Sequence, residues 1–252
     1  GYDPWGDMGD QWMSESGVDT TYMYRDHSVS TGTGLILIEE DSTNTIIDGD
    51  SACQALTLEE TKNAIEAMKE AKVFITGFGM PFRKALDGAK IAKQEYGMTT
   101  LCNVSPLPSE EMGELDYLDY MVLNDVEAKM LCNLPEDSDQ ENYEIVRTLQ
   151  QKYHCKGVIM TCSSKGSAII DGDEYWEVEA TPVKAVDTIG AGDGYLAAVA
   201  ANLVWGKSLR ESTEWASKYA AYKVTRPGSM TKKPGCGYPN REEVERFIDS
   251  IK

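Results

Sequence analysis

The chain has 252 residues, of which 41% are hydrophobic and 26% are charged; this suits one α/β domain with a sizeable core but not a second full domain. Acidic residues outnumber basic ones by 42 to 24, and the resulting net charge of −18 argues against nucleic acid or membrane as partners. No segment approaches the roughly 18 apolar residues of a membrane span and no secretory leader opens the sequence, so we expect a soluble, cytoplasmic protein.

The first part of the chain predicts a small antiparallel sheet followed by a helix. Apolar, β-branched segments at 34–39 and 44–47 flank a turn-rich segment at 40–43, as in two strands that share one covered face. Thr57 and Glu60 have the spacing of a capping box, so a helix is expected to begin there.

From Val73 onward, strand-like segments alternate with helical ones, which predicts the α/β class with a mostly parallel sheet flanked by helices on both faces. Asp171 and Gly172 separate two further strand segments and indicate a hairpin. The expected strands are 73–76, 99–103, 120–123, 157–161, 167–170 and 175–178, and the expected helices lie near 82–96, 125–133, 140–153, 208–225 and 240–251.

The cysteines and histidines argue against several kinds of site. The six cysteines form no C-x-x-C pair, and some lie inside apolar runs such as 158–162, which is typical of reduced thiols in a core. The only histidines, His27 and His154, are far apart in sequence and do not favour a catalytic triad or a histidine-based metal site.

The most specific motif, D-T-I-G-A-G-D at 187–193, joins a strand to the apolar helical segment 194–204. Its glycines allow close backbone approach to a ligand, and the helix start offers unpaired N–H groups to an anion. Asp193 stands where it can take a proton from a hydroxyl that attacks a phosphoryl group, which predicts a kinase. The alternative is a plain strand-to-helix connection in which Gly190 and Gly192 only close the turn.

The segment 187–193 resembles the second signature of the ribokinase (PfkB) family of carbohydrate and nucleoside kinases. The resemblance implies a single ribokinase-like domain over 1–252 in which residues from about 20 to 50 contribute a small β lid. It also implies ATP-dependent phosphorylation of a sugar hydroxyl, with a nucleoside as the alternative substrate. The expected catalytic residues are Asp193 as general base and Gly190, Ala191 and Gly192 as the turn that binds the phosphoryl group.

Asn124 and Glu127 follow a predicted strand, open a helix and resemble the family's N-x-x-E magnesium motif. Ligands of open α/β sheets bind at the carboxyl ends of strands, and both side chains offer oxygen to a hard cation. We therefore expect these two residues to bind ATP-associated Mg²⁺, directly or through water. The alternative is that Asn124 only caps the helix and Glu127 only favours its first turn.

Two further segments carry the expected nucleotide and cation contacts. The segment 161–166 resembles the family's T-x-G-x-x-G stretch beside the nucleotide, although a simple turn before the hairpin is the alternative. The segment 220–229 resembles A-x-x-V-T-R-x-G-A, which implies a K⁺ ion, although a helix end at Pro227 and Gly228 is the alternative. The implied nucleotide contacts are Thr161, Ser163 (in place of the first glycine), Gly166, Thr188 and Ser217, and the implied K⁺ ligands, partly backbone oxygens, are Asp187, Ile189, Lys223 and Gly228.

The amino-terminal half extends the resemblance to nearly the whole chain. Residues 1–6 are similar to the family's G-x-D-x-x-G segment, 14–20 to its L-x-x-x-G-V-D-T segment, and 31–34 to the strand of its lid. The family's opening strand and its G-G-x-x-x-N first signature precede these segments and are not in the sequence given. We therefore expect a fragment, with exposed apolar surface, that phosphorylates poorly alone; a naturally shortened relative is the alternative.

Three functional alternatives follow from these residues. The chain is a sugar kinase, a nucleoside kinase that uses Phe78 as an aromatic surface, or a non-catalytic relative that keeps only the phosphate turn; core packing is the other interpretation of Phe78. Nicotinamide-dependent redox chemistry is set aside because 77–79 lacks the third glycine of G-x-G-x-x-G. The apolar strand 35–38 offers an edge to a second copy, so a homodimer through the lid is also expected.

Overall fold

The computed structural model describes residues 1–38, 44–49, 51–228, 231 and 233–251. The predicted turn at 40–43 lies outside these residues, as do Glu39 and Ser229. Within the described part, the chain forms a six-stranded sheet, a two-stranded sheet and eight α-helices.

The strands match the predicted segments to within one residue at each described end. They are β1 (Gly34–Ile38), β2 (Asn44–Asp48), β3 (Val73–Gly77), β4 (Thr99–Asn103), β5 (Tyr120–Asn124), β6 (Gly157–Thr161), β7 (Ser167–Asp171) and β8 (Glu174–Val178). The large sheet has the order β3-β4-β5-β6-β7-β8, parallel from β3 to β6 and antiparallel across β6–β7 and β7–β8. The mostly parallel sheet and the hairpin at Asp171 and Gly172 are therefore confirmed.

The helices cover both faces of this sheet. They are α1 (Pro4–Glu15), α2 (Leu58–Ala67), α3 (Phe82–Tyr96), α4 (Asp125–Leu131), α5 (Asn142–Tyr153), α6 (Ala191–Val204), α7 (Leu209–Val224) and α8 (Arg241–Ser250). Complete capping boxes begin α2, α4, α7 and α8. In each, the side-chain oxygen of the cap residue accepts from the N–H of the third helical residue, a glutamate, whose carboxylate accepts from the N–H of the cap residue. The first of these is the predicted box of Thr57 and Glu60.

The core has two layers because side chains alternate across the sheet. Met121 and Leu123 of β5 pack with α3, α4 and α5 on one face. Tyr120 and Val122 of the same strand pack with α6 and α7 on the other. This alternation places α6, which follows the glycine turn, against the face of the sheet that carries Tyr120 and Val122.

The first 33 residues contribute no strand to either sheet, although Tyr22 and Tyr24 lie beside β3. The α1 helix, which the sequence analysis did not predict, contains no buried residue. The Asp3 carboxylate caps it by accepting from the Gly6 N–H (2.9 Å), and its other oxygen accepts from the Thr31 N–H (2.7 Å). The bonds from Thr31 and Gly6 lower the pKa of Asp3 to about 2. Residues 31–33, expected to belong to a lid strand, are irregular, and β1 begins only at Gly34.

β1 and β2 pair antiparallel as a separate two-stranded sheet, as the pattern predicted. Its side chains are unusually apolar for an exposed surface: Leu35 is 58% exposed and Leu37 is 47% exposed on one face, and Ile36 is exposed on the other. At the far end of the large sheet, β3 pairs only with β4, and no described strand lies along its outer edge.

All six cysteines are free, as expected for reduced thiols. Cys102, Cys155 and Cys162 are buried, and burial raises the pKa of the first two to about 12 and that of Cys162 to about 11. Cys53 is exposed. Separately, no helix among the described residues combines the length and the apolar character needed to cross a bilayer.

Candidate active site

A polar cleft of about 200 Å³ opens where the carboxyl ends of β4, β5 and β6 meet the start of α6. This is the edge of an open α/β sheet at which ligands bind. Most of the residues singled out from the sequence line it, although they come from segments up to about 70 positions apart. They are Asn124, Glu127, Thr161, Thr188, Gly190, Ala191, Gly192 and Asp193.

The amino terminus of α6 is built to face this cleft. Gly190 caps it with a left-handed φ of 73°, a conformation that favours glycine, and it has no side chain to satisfy the first N–H groups. The N–H groups of Gly192 and Asp193 have no hydrogen-bond acceptor among the described residues. A methyl group added at Gly192 would meet no protein atom within 4 Å, so the space beside the turn is open. Together these features form an anion site.

Asp193 is the third residue of α6, exposed and turned into the same cleft. Its carboxylate makes no hydrogen bond or ion pair with any described residue. A negative charge in the first turn is favoured by the helix dipole, so the carboxylate is stable there without a partner. It is therefore free to accept a proton from a bound hydroxyl.

Asn124 and Glu127 form the capping box of α4, so they cap this helix whether or not they also bind magnesium. The Asn124 side chain accepts from the Glu127 N–H at 2.8 Å, and one oxygen of Glu127 accepts from the Asn124 N–H at 2.9 Å. The other Glu127 oxygen has no partner among the described residues. Both residues also line the cleft; capping uses the single side-chain oxygen of Asn124 but only one of the two carboxylate oxygens of Glu127.

The described residues contain no cluster of three or more histidine, cysteine or acidic side chains that would enclose a metal. Mg²⁺ does not need one, because it usually keeps several waters and binds one or two carboxylates together with substrate phosphates. A cleft that offers the free oxygen of Glu127 beside an anion site fits this mode of binding.

The residues expected around the nucleotide are only partly brought together. Thr161 ends β6 and lines the cleft, while Ser163 and Gly166 lie in the following turn, outside the cleft lining. Ser163 has φ of 49°, in the region that favours glycine, which is the residue of the T-x-G pattern at this place. Ser217 does not line the cleft either, since it is buried in α7 and donates to the Glu179 carbonyl at 3.1 Å.

Asp187, Ile189, Lys223 and Gly228 do meet beneath the turn. One Asp187 carboxylate oxygen accepts from the Ile189 N–H at 2.9 Å and the other from the Gly228 N–H at 2.7 Å. Burial opposes ionisation of Asp187, but these two N–H groups and the nearby Lys223 lower the pKa of its carboxyl. The Lys223 ammonium donates to the Asp187 carbonyl at 3.3 Å and to the Ile189 carbonyl.

Asn103 and Ser105 line the cleft and were not singled out from the sequence. They belong to or follow β4, the neighbour of β5, so their position at a strand's carboxyl end was the available signal. Phe78, a candidate aromatic surface for substrate, is instead buried and packs edge-on to Phe82.

A second, apolar groove of about 360 Å³ runs along β3. Consecutive residues of the strand, 73–76, line it together with residues of α2 and α3. It therefore lies at the open edge of the sheet, where Ile75 is 46% exposed.

Comparisons with known proteins agree with this geometry. The family model described as "pfkB family carbohydrate kinase" matches residues 1–236. A deoxyribokinase from Salmonella typhimurium is 26% identical over 236 residues, covering 92% of this chain and 74% of that protein. A ribokinase from Staphylococcus aureus is 25% identical over 221 residues, covering 86% of this chain and 71% of that protein.

Solved structures agree as well. A ribokinase from Thermotoga maritima superposes with a TM-score of 0.82 at 26% identity, over 98% of this chain and 78% of that one. A ribokinase from Arabidopsis thaliana, complexed with ribose and ATP, gives a TM-score of 0.79 at 24% identity, over 98% of this chain and 79% of that one. The second match supports the fold alone.

Proposed function

Because the chain belongs to the pfkB family of carbohydrate kinases, we propose that it transfers the γ-phosphoryl group of ATP to a hydroxyl of a pentose. Membership makes it a carbohydrate kinase of the pfkB type, and ATP as the phosphoryl donor is part of the proposal. The pentose is our inference from the deoxyribokinase and ribokinase relatives. The observation that carries the reaction is the start of α6, which has no side-chain cap: the N–H groups of Gly192 and Asp193 are unpaired, and the Asp193 carboxylate faces the same cleft.

In the proposed reaction the Asp193 carboxylate accepts the proton of the sugar hydroxyl while the oxygen of that hydroxyl attacks the γ-phosphorus. The bond from that phosphorus to the bridging oxygen breaks, and ADP leaves with the electron pair. The N–H groups around Gly190, Ala191 and Gly192 stabilise the negative charge of the transferring group. Gly190 is the cap of α6, and Ala191 and Gly192 are its first two residues, so the turn is held in place and needs no reorganisation during the reaction.

We assign Asn124 and Glu127 to the magnesium that accompanies ATP, held through water. When bound, the ion would neutralise charge on the phosphates. The unused Glu127 oxygen supports this role, because capping occupies only the other one. Thr161 and Thr188 are proposed to contact the phosphates from the two sides of the cleft, and Ser163, Gly166 and Ser217 to lie toward the rest of the nucleotide.

We further propose that residues 1–252 act as one domain in which β1 and β2 serve as the lid over the sugar. Their exposed apolar side chains support this role, since a two-stranded sheet is only marginally stable without a covering partner. Two alternatives remain separate hypotheses: a nucleoside kinase, and a relative that binds ligand without catalysis. A panel of sugars and nucleosides, assayed with ATP and Mg²⁺, distinguishes all three.

The test of the mechanism replaces Asp193 by Asn, which keeps the shape of the side chain but removes the base. Turnover of the best substrate should fall on the order of 100-fold or more, while nucleotide affinity measured by calorimetry should change little. Asp173→Asn is the matched control, because Asp173 is an exposed aspartate in the β7–β8 turn, far from the cleft. Near-normal turnover of the Asp193 variant would remove this residue from the proposed role.

A further inference from the structure

Lys223 lies near the end of α7 with its side chain fully buried, at 0% exposure. The ammonium does not reach solvent but ends under the turn that precedes α6. There it donates to the main-chain carbonyls of Asp187 and Ile189. A lysine is almost never fully buried unless its charge has a specific partner, so this position requires a physical explanation.

The two contacts determine how the turn faces the cleft. In a planar trans peptide the carbonyl and the following N–H point in opposite directions. Because the carbonyls of Asp187 and Ile189 point toward Lys223, the N–H groups of Thr188 and Gly190 point away from it. Both of these residues line the cleft, and neither N–H has an acceptor among the described residues. Lys223 therefore orients donors toward the anion site without touching it.

The charges around Lys223 leave no place for a second cation. Both Asp187 carboxylate oxygens already accept N–H groups, and the two carbonyls that would complete a K⁺ site already accept the ammonium. Burial lowers the pKa of Lys223, while the carboxylates of Asp187 and Asp193 favour its charged form. A K⁺ ion at these oxygens would lie within a few ångströms of this ammonium. The residues do not fit the potassium ion that the resemblance implies.

We propose that the Lys223 ammonium takes the place of a monovalent cation and acts as a built-in positioning residue for the phosphate-binding turn. The kinase should accordingly need no potassium. This inference rests on the proposed function for its catalytic consequence, but the site itself belongs to the free protein. It can therefore be tested without any reaction.

The first experiment measures the melting temperature of the ligand-free protein in about 0.1 M KCl, NaCl or tetramethylammonium chloride, at equal ionic strength. The wild-type protein should show a potassium-specific shift below about 1 °C. Lys223→Ala removes the ammonium and opens space at the two carbonyls, so potassium should raise its melting temperature by about 3 °C. Lys223→Met fills the space without a charge and should melt alike in all three salts.

Lys207→Met is the control, since it removes an exposed ammonium whose ion pair with Glu211 is weak. A potassium-specific rise of more than about 2 °C in the wild-type protein would overturn the proposal, and this measurement does not depend on any variant folding. A folded Lys223→Ala protein whose melting temperature does not rise in potassium would also overturn the proposal.

The second experiment measures turnover with ATP and the best sugar in the same salts. Replacing sodium by potassium should change wild-type turnover by less than about twofold, and should raise that of Lys223→Ala by at least about tenfold. If neither protein phosphorylates any sugar, the proposed function fails while the melting data still decide the role of Lys223. Equal potassium stimulation of both proteins would count against a built-in cation.

Discussion

At the scale of single residues, Glu127 combines a structural contact with a free oxygen. One carboxylate oxygen closes the capping box of α4 with the Asn124 N–H, and the residue also lines the cleft beside Asp193. Capping needs an acceptor at this position but not a charge, whereas attraction of Mg²⁺ needs the charge. The two roles can therefore be separated by one substitution.

Glu127→Gln keeps the capping acceptor and removes the charge. We expect the free energy of unfolding to change by less than about 0.5 kcal/mol, and the Mg²⁺ concentration for half-maximal activity to rise about tenfold. Urea denaturation and magnesium titrations of turnover measure the two effects. Glu211→Gln alters an equivalent capping box on α7, away from the cleft, and should leave the magnesium requirement unchanged. An unaltered requirement in the Glu127 variant would exclude it from magnesium binding.

At the scale of elements, Arg226 connects α8 to the end of α7. This arginine follows α7 and is only 6% exposed. The guanidinium donates to the carbonyls of Gly237 and Cys236 and to the Glu243 carboxylate, each at 3.0 Å. The Asn240 N–H, which donates to the Glu243 carboxylate, and the hydrogen bond and charge of Arg226 lower the pKa of Glu243, so the pair stays ionised in the folded protein. Five fixed donors suit this site better than the single ammonium of a lysine.

Arg226→Met should destabilise the protein by about 2–4 kcal/mol, because it leaves two carbonyls and a carboxylate without their donor. Hydrogen exchange should accelerate most in α8. Arg246→Met is the control, since its ion pair with Glu242 is exposed and long at 3.9 Å, and it should cost less than about 0.5 kcal/mol. Equal stability of the two variants would contradict the role of Arg226 in holding α8.

The elements differ in how far the sequence predicts them. Strands and helices after Val73 follow from periodicity because each buries an apolar face. α1 buries none, and only Asp3 as cap and Pro4 as first residue indicated it. In the site, the turn and the β5 end were predictable from local motifs. The burial of the Lys223 side chain was not predictable, because it depends on how α7 packs beneath a turn that is distant in sequence.

At the scale of the whole molecule, the described surface carries an apolar two-stranded sheet, which we propose as the lid, and an open edge along β3. The two-stranded sheet exposes Leu35 and Leu37 on one face and Ile36 on the other. A two-stranded sheet with apolar residues on both faces gains stability when a second surface covers it. With a net charge of −18, such association needs apolar contact rather than charge attraction.

We expect the wild-type protein to sediment as a dimer at micromolar concentration, and the double variant Leu35→Lys with Leu37→Lys as a monomer. Two lysines on the same face of β1 would bring like charges together across the interface. Met130→Lys, which changes another exposed apolar residue on α4, should leave the dimer intact. A wild-type protein that sediments as a monomer would rule out pairing through the lid.

The thiols differ in exposure, which allows selective labelling with a fluorescent dye. Cys53 is exposed just after β2, whereas Cys102, Cys155 and Cys162 combine deep burial with a raised pKa and so react slowly with alkylating dyes. Brief treatment with a maleimide fluorophore should therefore favour Cys53 over these three. If β1 and β2 form the proposed lid, the fluorescence of a dye at that position should change when sugar is added.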